Sequence, residues 1–208
     1  MSTAGSLRGV RYYTVLPRRD LSIDFANTVA YRGSTSEESL HSLTDLFTWL
    51  AVAKVLPEPS VAALSRMIAA SHADEARLFS EIINLRETIY RLLHAIAAKS
   101  APPSSDLQRL NRALAEAPSR ISIAQTEAGF GWRIEVKPTA TGLLGPVIWS
   151  VTDIIAGADS ARVRECANDL CLWLFLDDSK NGSRRWCSMQ ACGNRAKAHR
   201  HYQRQKDK

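Results

Sequence analysis

All four cysteines of the chain fall within its last 43 residues, at Cys166, Cys171, Cys187 and Cys192, in the spacing C-x(4)-C-x(15)-C-x(4)-C. Two short loops that each offer two thiols, separated by a hairpin-sized stretch, suit a tetrahedral metal ion with sulfur ligands at about 2.3 Å. A disulfide framework would need an oxidising compartment, and nothing in the chain directs it to one. His199 is no alternative ligand: seven residues beyond Cys192 along a helix is roughly 10 Å. The reading is a structural zinc ion held by Cys166, Cys171, Cys187 and Cys192. With four thiolates bound, no position remains for a catalytic water. Between the pairs, Leu172–Leu176 reads as a strand, Asp177–Gly182 as a turn and Arg184–Trp186 as a returning strand, with a helix from Ala196. Loop, hairpin, loop and helix make a treble-clef-like module.

The charge is as unevenly placed as the sulfur. Between Ser179 and Lys208 stand nine Lys/Arg residues and one acid, Asp207, whereas the other 178 residues carry 18 basic and 20 acidic side chains. A near-neutral body with a basic tail points to a polyanionic partner. Arg8, Arg11, Arg18 and Arg19 leave the first twenty residues without the apolar core of a secretory signal, and no apolar run is long enough for a membrane helix. The expectation is a cytoplasmic protein.

The remaining sequence reads as one domain over residues 1–158, with the zinc module over 159–208. A short strand is expected at Tyr12–Leu16 and a helix start in Leu21–Ala30. Leu43, Leu46, Phe47, Leu50 and Ala53 mark a helix closed by Pro57 and Pro59. Ser60 is placed as the cap of the next helix and Ser71 as the cap of the longest, which runs to about Lys99 on Leu78, Ile82, Leu85, Ile89, Leu92 and Leu93. Pro102 and Pro103 break it before a short helix on Leu107, Leu110 and Leu114. The period then falls to two around Glu127–Gly131, a β-hairpin, and Pro146 opens a final apolar helix. The fold class is α+β: a mostly helical N-terminal domain with a β-hairpin, followed by the zinc module.

The stretch Arg185-Trp-Cys-Ser-Met-Gln-Ala-Cys-Gly-Asn-Arg-Ala-Lys197, with Cys166-Ala-Asn-Asp-Leu-Cys171 before it, closely resembles the CGNR zinc finger, named for the motif standing here as Cys192-Gly193-Asn194-Arg195. Leu21-Ser-Ile-Asp-Phe-Ala-Asn-Thr28 is similar to the opening signature of the ABATE domain that precedes this finger in its family, and Trp49-Leu50 and Leu85-Arg86 agree with it. The resemblance covers essentially the whole chain. It implies the four cysteines as zinc ligands, and a bacterial, stress-related regulator of transcription in which the basic finger is proposed to touch DNA.

The residues themselves supply candidates. Arg195, Lys197, Arg200, Arg204 and Lys206 lie around the last helix, with Arg184 and Arg185 on the strand before it, so phosphate contact is easier to argue than base reading. Trp173, Phe175 and Trp186 are placed in the core of the finger, and Asp177 and Asp178 are expected to pair with Arg184 or Arg185. Asp24, Asn27, Thr28, Arg86 and Tyr90 could line a pocket for a small-molecule effector, or serve as caps and inter-helix pairs. No nucleophile–base pair or phosphate loop stands out, so the expectation is a regulator and not an enzyme. The leading function is a DNA-binding transcription regulator with one structural zinc, a homodimer being compatible with it. An RNA-binding protein and a zinc-stabilised protein-interaction module are the alternatives.

Overall fold

The computed structural model describes residues 10–14, 18–70, 74–120, 122–126 and 129–206. The elements follow in the order β1 (Val10–Thr14), α1 (Leu21–Ala26), β2 (Val29–Ala30), β3 (Glu37–Glu38), α2 (Leu43–Val52), α3 (Glu58–Ala70), α4 (Glu75–Ala97), α5 (Ser104–Glu116), β4 (Ser122–Thr126), β5 (Gly129–Val136), α6 (Ala140–Leu143), α7 (Gly145–Ala156), β6 (Val163–Glu165), β7 (Leu174–Leu176) and α8 (Asn194–Lys206). This is the expected α+β architecture, dominated by helices.

The core is built around α4. Ile82, Ile89, Leu92 and Leu93 are fully buried on it, at the three- and four-residue steps that keep side chains on one helical face. Its N-cap is Asp74, whose side chain accepts from the Arg77 backbone N–H. Ser71, the expected cap, lies outside the described residues. Against α4 pack α1, α5, α6 and the short strands β6 and β7. The Arg91 guanidinium grips Asp106 of α5 through two bonds of 2.8 and 2.7 Å. Helix α7 carries Pro146 in its first turn, as expected, and buries Val147, Ile148, Val151 and Ile154. The hairpin β4–β5 is extended by β1 into a three-stranded antiparallel sheet of order β1-β5-β4.

The helix expected to start in Leu21–Ala30 does so as α1 and stops at Ala26, and Val29 and Ala30 pair with Glu38 and Glu37 as a two-residue ribbon. Two expectations for local structure are corrected. Ser60 caps nothing: α3 already starts at Glu58, with Pro59 in the first turn where its missing N–H costs no helical bond, and Ser60 is buried inside it. Finally, β7 pairs with β6 upstream of the first cysteine, Val163 opposite Leu176 and Glu165 opposite Leu174. Arg184–Trp186 is not a strand.

Beneath the ribbon lies a buried ionic network. Arg86 on α4 is 2% exposed and meets Glu38 of β3 through two bonds of 2.7 and 2.6 Å, Thr28 at 3.0 Å and Glu87 at 2.9 Å. Arg32 takes both oxygens of Glu87, at 2.7 and 3.0 Å, and the Ala26 carbonyl at 3.1 Å. Burial works against charge on Glu38 and Glu87, but the guanidiniums outweigh it and hold both carboxyls below their ordinary value of 4.5. The ribbon is thereby clamped to the central helix by planar forks that match carboxylate geometry.

Because breaking a buried pair strands a charge, Arg86→Met is expected to cost about 3–5 kcal/mol, read as a lower denaturation midpoint at unchanged slope. The depressed carboxyls set the pH dependence. Their contribution is complete above the unfolded value of 4.5 and is lost as pH falls through their lower folded values. Unfolding free energy should therefore decline below pH ~4.5, and less steeply in Glu38→Gln.

Candidate metal centre and its seat on the body

The sulfurs of Cys166, Cys171, Cys187 and Cys192 all lie within 4.8 Å of one another. Cys171 Sγ is 3.7 Å from Cys187 Sγ, and Cys187 Sγ is 3.8 Å from Cys192 Sγ. A tetrahedron with bonds of about 2.3 Å has edges of about 3.8 Å. A disulfide would bring two sulfurs to about 2.05 Å, and all four cysteines are free. The donor set is that of a single structural zinc ion.

The local backbone explains how two loops converge on one point. In the first, the Asn168 carbonyl accepts from the N–H of Cys171 at 2.7 Å and of Leu172 at 3.4 Å, curling the chain between the first two ligands. Leu172 closes the loop at φ 55°, a left-handed conformation that costs roughly 1 kcal/mol in a non-glycine residue. Cys166 N–H donates to the Trp173 carbonyl at 2.8 Å and brings the ends of the loop together. In the second, Ser188 caps a wide helical turn, Met189–Gly193, which carries Cys192 straight into α8. The Ala167 N–H donates to the Arg185 carbonyl at 2.8 Å and ties the loops to each other. The Asn168 side-chain amide reaches Cys192 Sγ at 3.4 Å, as outer partners of metal-bound thiolates do.

Thiols this close resist ionising together. Without an ion, burial and the neighbouring sulfurs push Cys187 far up, and burial pushes Cys171 up to about 11. Cys192, although burial opposes it, is held below its ordinary value by the Asn168 amide and the adjacent thiols. A bound dication supplies the charge that lets all four stay deprotonated.

The finger is seated firmly on the body. Asn27, at the end of α1, uses its side-chain amide as a strand would use its backbone: Nδ2 donates to the Leu174 carbonyl at 2.9 Å and Oδ1 accepts from the Leu174 N–H at 3.1 Å. Trp173 Nε1 donates to the Val29 carbonyl at 3.1 Å, and the Tyr90 hydroxyl to the Leu172 carbonyl at 3.3 Å. Val163, Leu174 and Leu176 belong to the main hydrophobic core. The approach at Gly33 is so close that a Cβ there would stand 1.8 Å from the Asp169 carbonyl oxygen of the first cysteine loop.

The five expected effector-pocket residues fall in different surroundings. Thr28 and Arg86 are saturated in the ionic network, and Tyr90 lies under Arg32, whose guanidinium sits 4.0 Å from its ring. Burial pushes the Tyr90 hydroxyl up to about 12 and keeps it a donor. Asp24 pairs with Arg18. Asp24 and Asn27 border a cleft of about 230 Å³ whose other walls include Arg19, Trp173, Arg184 and Cys187. Nothing in the sequence singled out Asn27 as a joint; its pairing with Leu174 spans a separation of 147 residues.

The expected phosphate-binding residues also divide. Arg184 is exposed but folds back on its own loop, its Nε donating to the Trp186 carbonyl at 2.9 Å, its Nη2 to the Cys187 carbonyl, and its guanidinium carbon 4.5 Å from the Phe175 ring centre. Arg185 lies 5.2 Å over Trp186. Arg195 faces Tyr31, and that hydroxyl, then the charge of Cys192 and Cys171, raises its pKa. Asp177, expected to pair with Arg184 or Arg185, accepts from the backbone N–H groups of Ser179 and Arg184, at 2.9 and 3.1 Å, and Asp178 pairs with Arg19 and Arg162 instead. Lys197 and Lys206 are exposed on α8. Arg200 and Arg204 are on the same helix, with side chains outside those described.

Asn27→Ala removes both bonds to Leu174 and leaves a partly buried N–H and carbonyl unmatched, at a cost of about 1–3 kcal/mol. Zinc content should be unchanged, while amide exchange in β7 and both cysteine loops accelerates. Unaltered exchange there would show that the finger does not depend on this joint.

Comparison with known proteins agrees with these two pieces. Residues 19–158 match the ABATE family model, described as "Putative stress-induced transcription regulator", and residues 162–205 match the CGNR zinc finger. A search of curated proteins gives no match. No helix among the described residues is long and apolar enough to cross a membrane. Matched over more than half its length and carrying the four-sulfur site at the matching end, the chain belongs to the ABATE family and ends in a CGNR zinc finger.

Proposed function

We propose that the chain is a non-catalytic, DNA-binding transcription regulator whose zinc site fixes α8 as a cationic probe for the phosphate backbone. The observation that supports this most is the placement of α8. It begins two residues after Cys192, so its first turn is anchored by a metal ligand. It then runs 13 residues, about 20 Å at 1.5 Å per residue, carrying Arg195, Lys197, Arg200, Arg204 and Lys206 and no acid. Cations in its last turn are also favoured by the helix dipole. Arg184 serves this surface from behind, holding the second cysteine loop in shape through the Trp186 and Cys187 carbonyls. The family description, a regulator of transcription, agrees with such a role.

On this reading the body is a rigid mount. The bonds through Asn27, Trp173 and Tyr90 make the finger a fixed projection of the α4 core, and any effector would act through the cleft at that joint. The charges on α8 are spread around the helix and favour phosphate contact over base reading.

Binding to a random-sequence duplex is expected to weaken by about three powers of ten between about 50 and about 200 mM salt, the slope for roughly six phosphate contacts. The triple variant Lys197→Glu, Arg204→Glu, Lys206→Glu should lose roughly a hundredfold in affinity with unchanged zinc content and melting temperature. Duplex binding indifferent to those reversals, or displaced preferentially by structured RNA, would overturn the proposal.

A further inference from the structure

We infer that Cys187 is an oxidation site for a hydroperoxide, and that closing a disulfide from it to Cys171 dismantles the zinc centre. The four ligands are not equally protected. Cys166, Cys171 and Cys192 are 3%, 5% and 5% exposed, while Cys187 is half-buried and forms part of the wall of the 230 Å³ cleft between α1 and the finger. Cys187 is thus the ligand most open to a small oxidant such as hydrogen peroxide. Cys171 Sγ stands 3.7 Å from Cys187 Sγ, and Cys192 Sγ, at 3.8 Å, is engaged by the Asn168 amide. Of these two, Cys171 is the better placed to complete the reaction.

The chemistry closes without a further reductant or oxidant. The Cys187 thiolate attacks one peroxide oxygen; an S–O bond forms, the O–O bond breaks, and the departing hydroxide takes a proton from solvent. The Cys171 thiolate then attacks the Cys187 sulfur; the S–S bond forms, the S–O bond breaks, and a second hydroxide leaves as water. Two thiolates, one hydrogen peroxide and two protons give one disulfide and two waters, the sulfurs losing two electrons that the peroxide gains. Each cysteine loop then keeps one thiolate, too few to hold a structural zinc ion. Because α8 starts beside Cys192, loss of the ion removes its footing. That last consequence rests on the proposed function, whereas the oxidation does not.

The test treats the zinc-loaded full chain with a few equivalents of hydrogen peroxide. It follows free zinc with a chromophoric chelator, cysteine pairing by alkylation and peptide mass mapping, and duplex binding in parallel. The expected result is release of one zinc per chain at the rate at which the Cys171–Cys187 disulfide appears, reversed by dithiothreitol and added zinc. Cys187→His, which keeps a nitrogen ligand in the fourth position, should release zinc at least tenfold more slowly. Should that variant fail to load metal, the order of cysteine modification in the unaltered chain decides alone. Retained zinc with oxidation confined to methionine, or a first disulfide that excludes Cys187, overturns the inference. A chain that binds no duplex even when loaded defeats the proposed function, while zinc release still decides the oxidation site.

Discussion

Everything distinctive in this molecule depends on four sulfurs being held within one ion's reach of each other. Desolvation and mutual repulsion oppose deprotonating such a cluster, so its geometry makes sense only around a dication. The stretch from Cys166 to Cys192 holds three buried ligand sulfurs, with Trp173, Trp186 and Cys187 packed against them. A unit of that size buries too little to stand alone. The ion supplies what the apolar surface does not, and the two cysteine loops are shaped by backbone bonds that bring the four sulfurs together.

The second constraint is the joint with the body. Metal modules appended to a domain are often pictured as tethered, but here the strand between the ligand pairs is paired with β6 and capped by an asparagine side chain that imitates a strand edge. Leu174 and Leu176 contribute to the core, so the finger and the helical body share packing. The ionic network of Arg86, Glu38, Glu87 and Arg32 lies directly behind this seat. It fixes the ribbon whose Val29 carbonyl receives Trp173, and it supports Tyr90, which receives the Leu172 loop. Charge buried at this depth adds little net stability over a hydrophobic substitute; its contribution is to hold one arrangement of ribbon, helix and finger.

Much of this was legible in the sequence where signals are local. Cysteine spacing gave the ligand set, helical periodicity gave α4 and α7, and the density of Lys and Arg beyond Ser179 gave the cationic helix. Failures came where the deciding contact is distant. Val163–Glu165 is too short and too polar to announce itself as the partner of β7, so the nearer Arg184–Trp186 stood in its place. Asn27, Thr28, Arg86 and Tyr90 attract attention as polar residues among apolar ones, a pattern shared by ligand pockets and satisfied buried networks. Only the positions of Leu174 and Glu38 distinguish the two. Arg184 illustrates the same limit: a cation beside a metal loop can face solvent or fold back onto carbonyls, and the sequence is silent on which.

The central claim is that one zinc ion in an all-sulfur shell organises the end of the chain and thereby presents α8. X-ray absorption at the zinc edge, on full-length protein purified without added metal, addresses it directly. The account predicts one zinc per chain with four sulfur scatterers at about 2.3 Å and no nitrogen or oxygen in the first shell. A mixed shell, a sub-stoichiometric metal content in folded protein, or sulfur–sulfur pairs at bonding distance would contradict it.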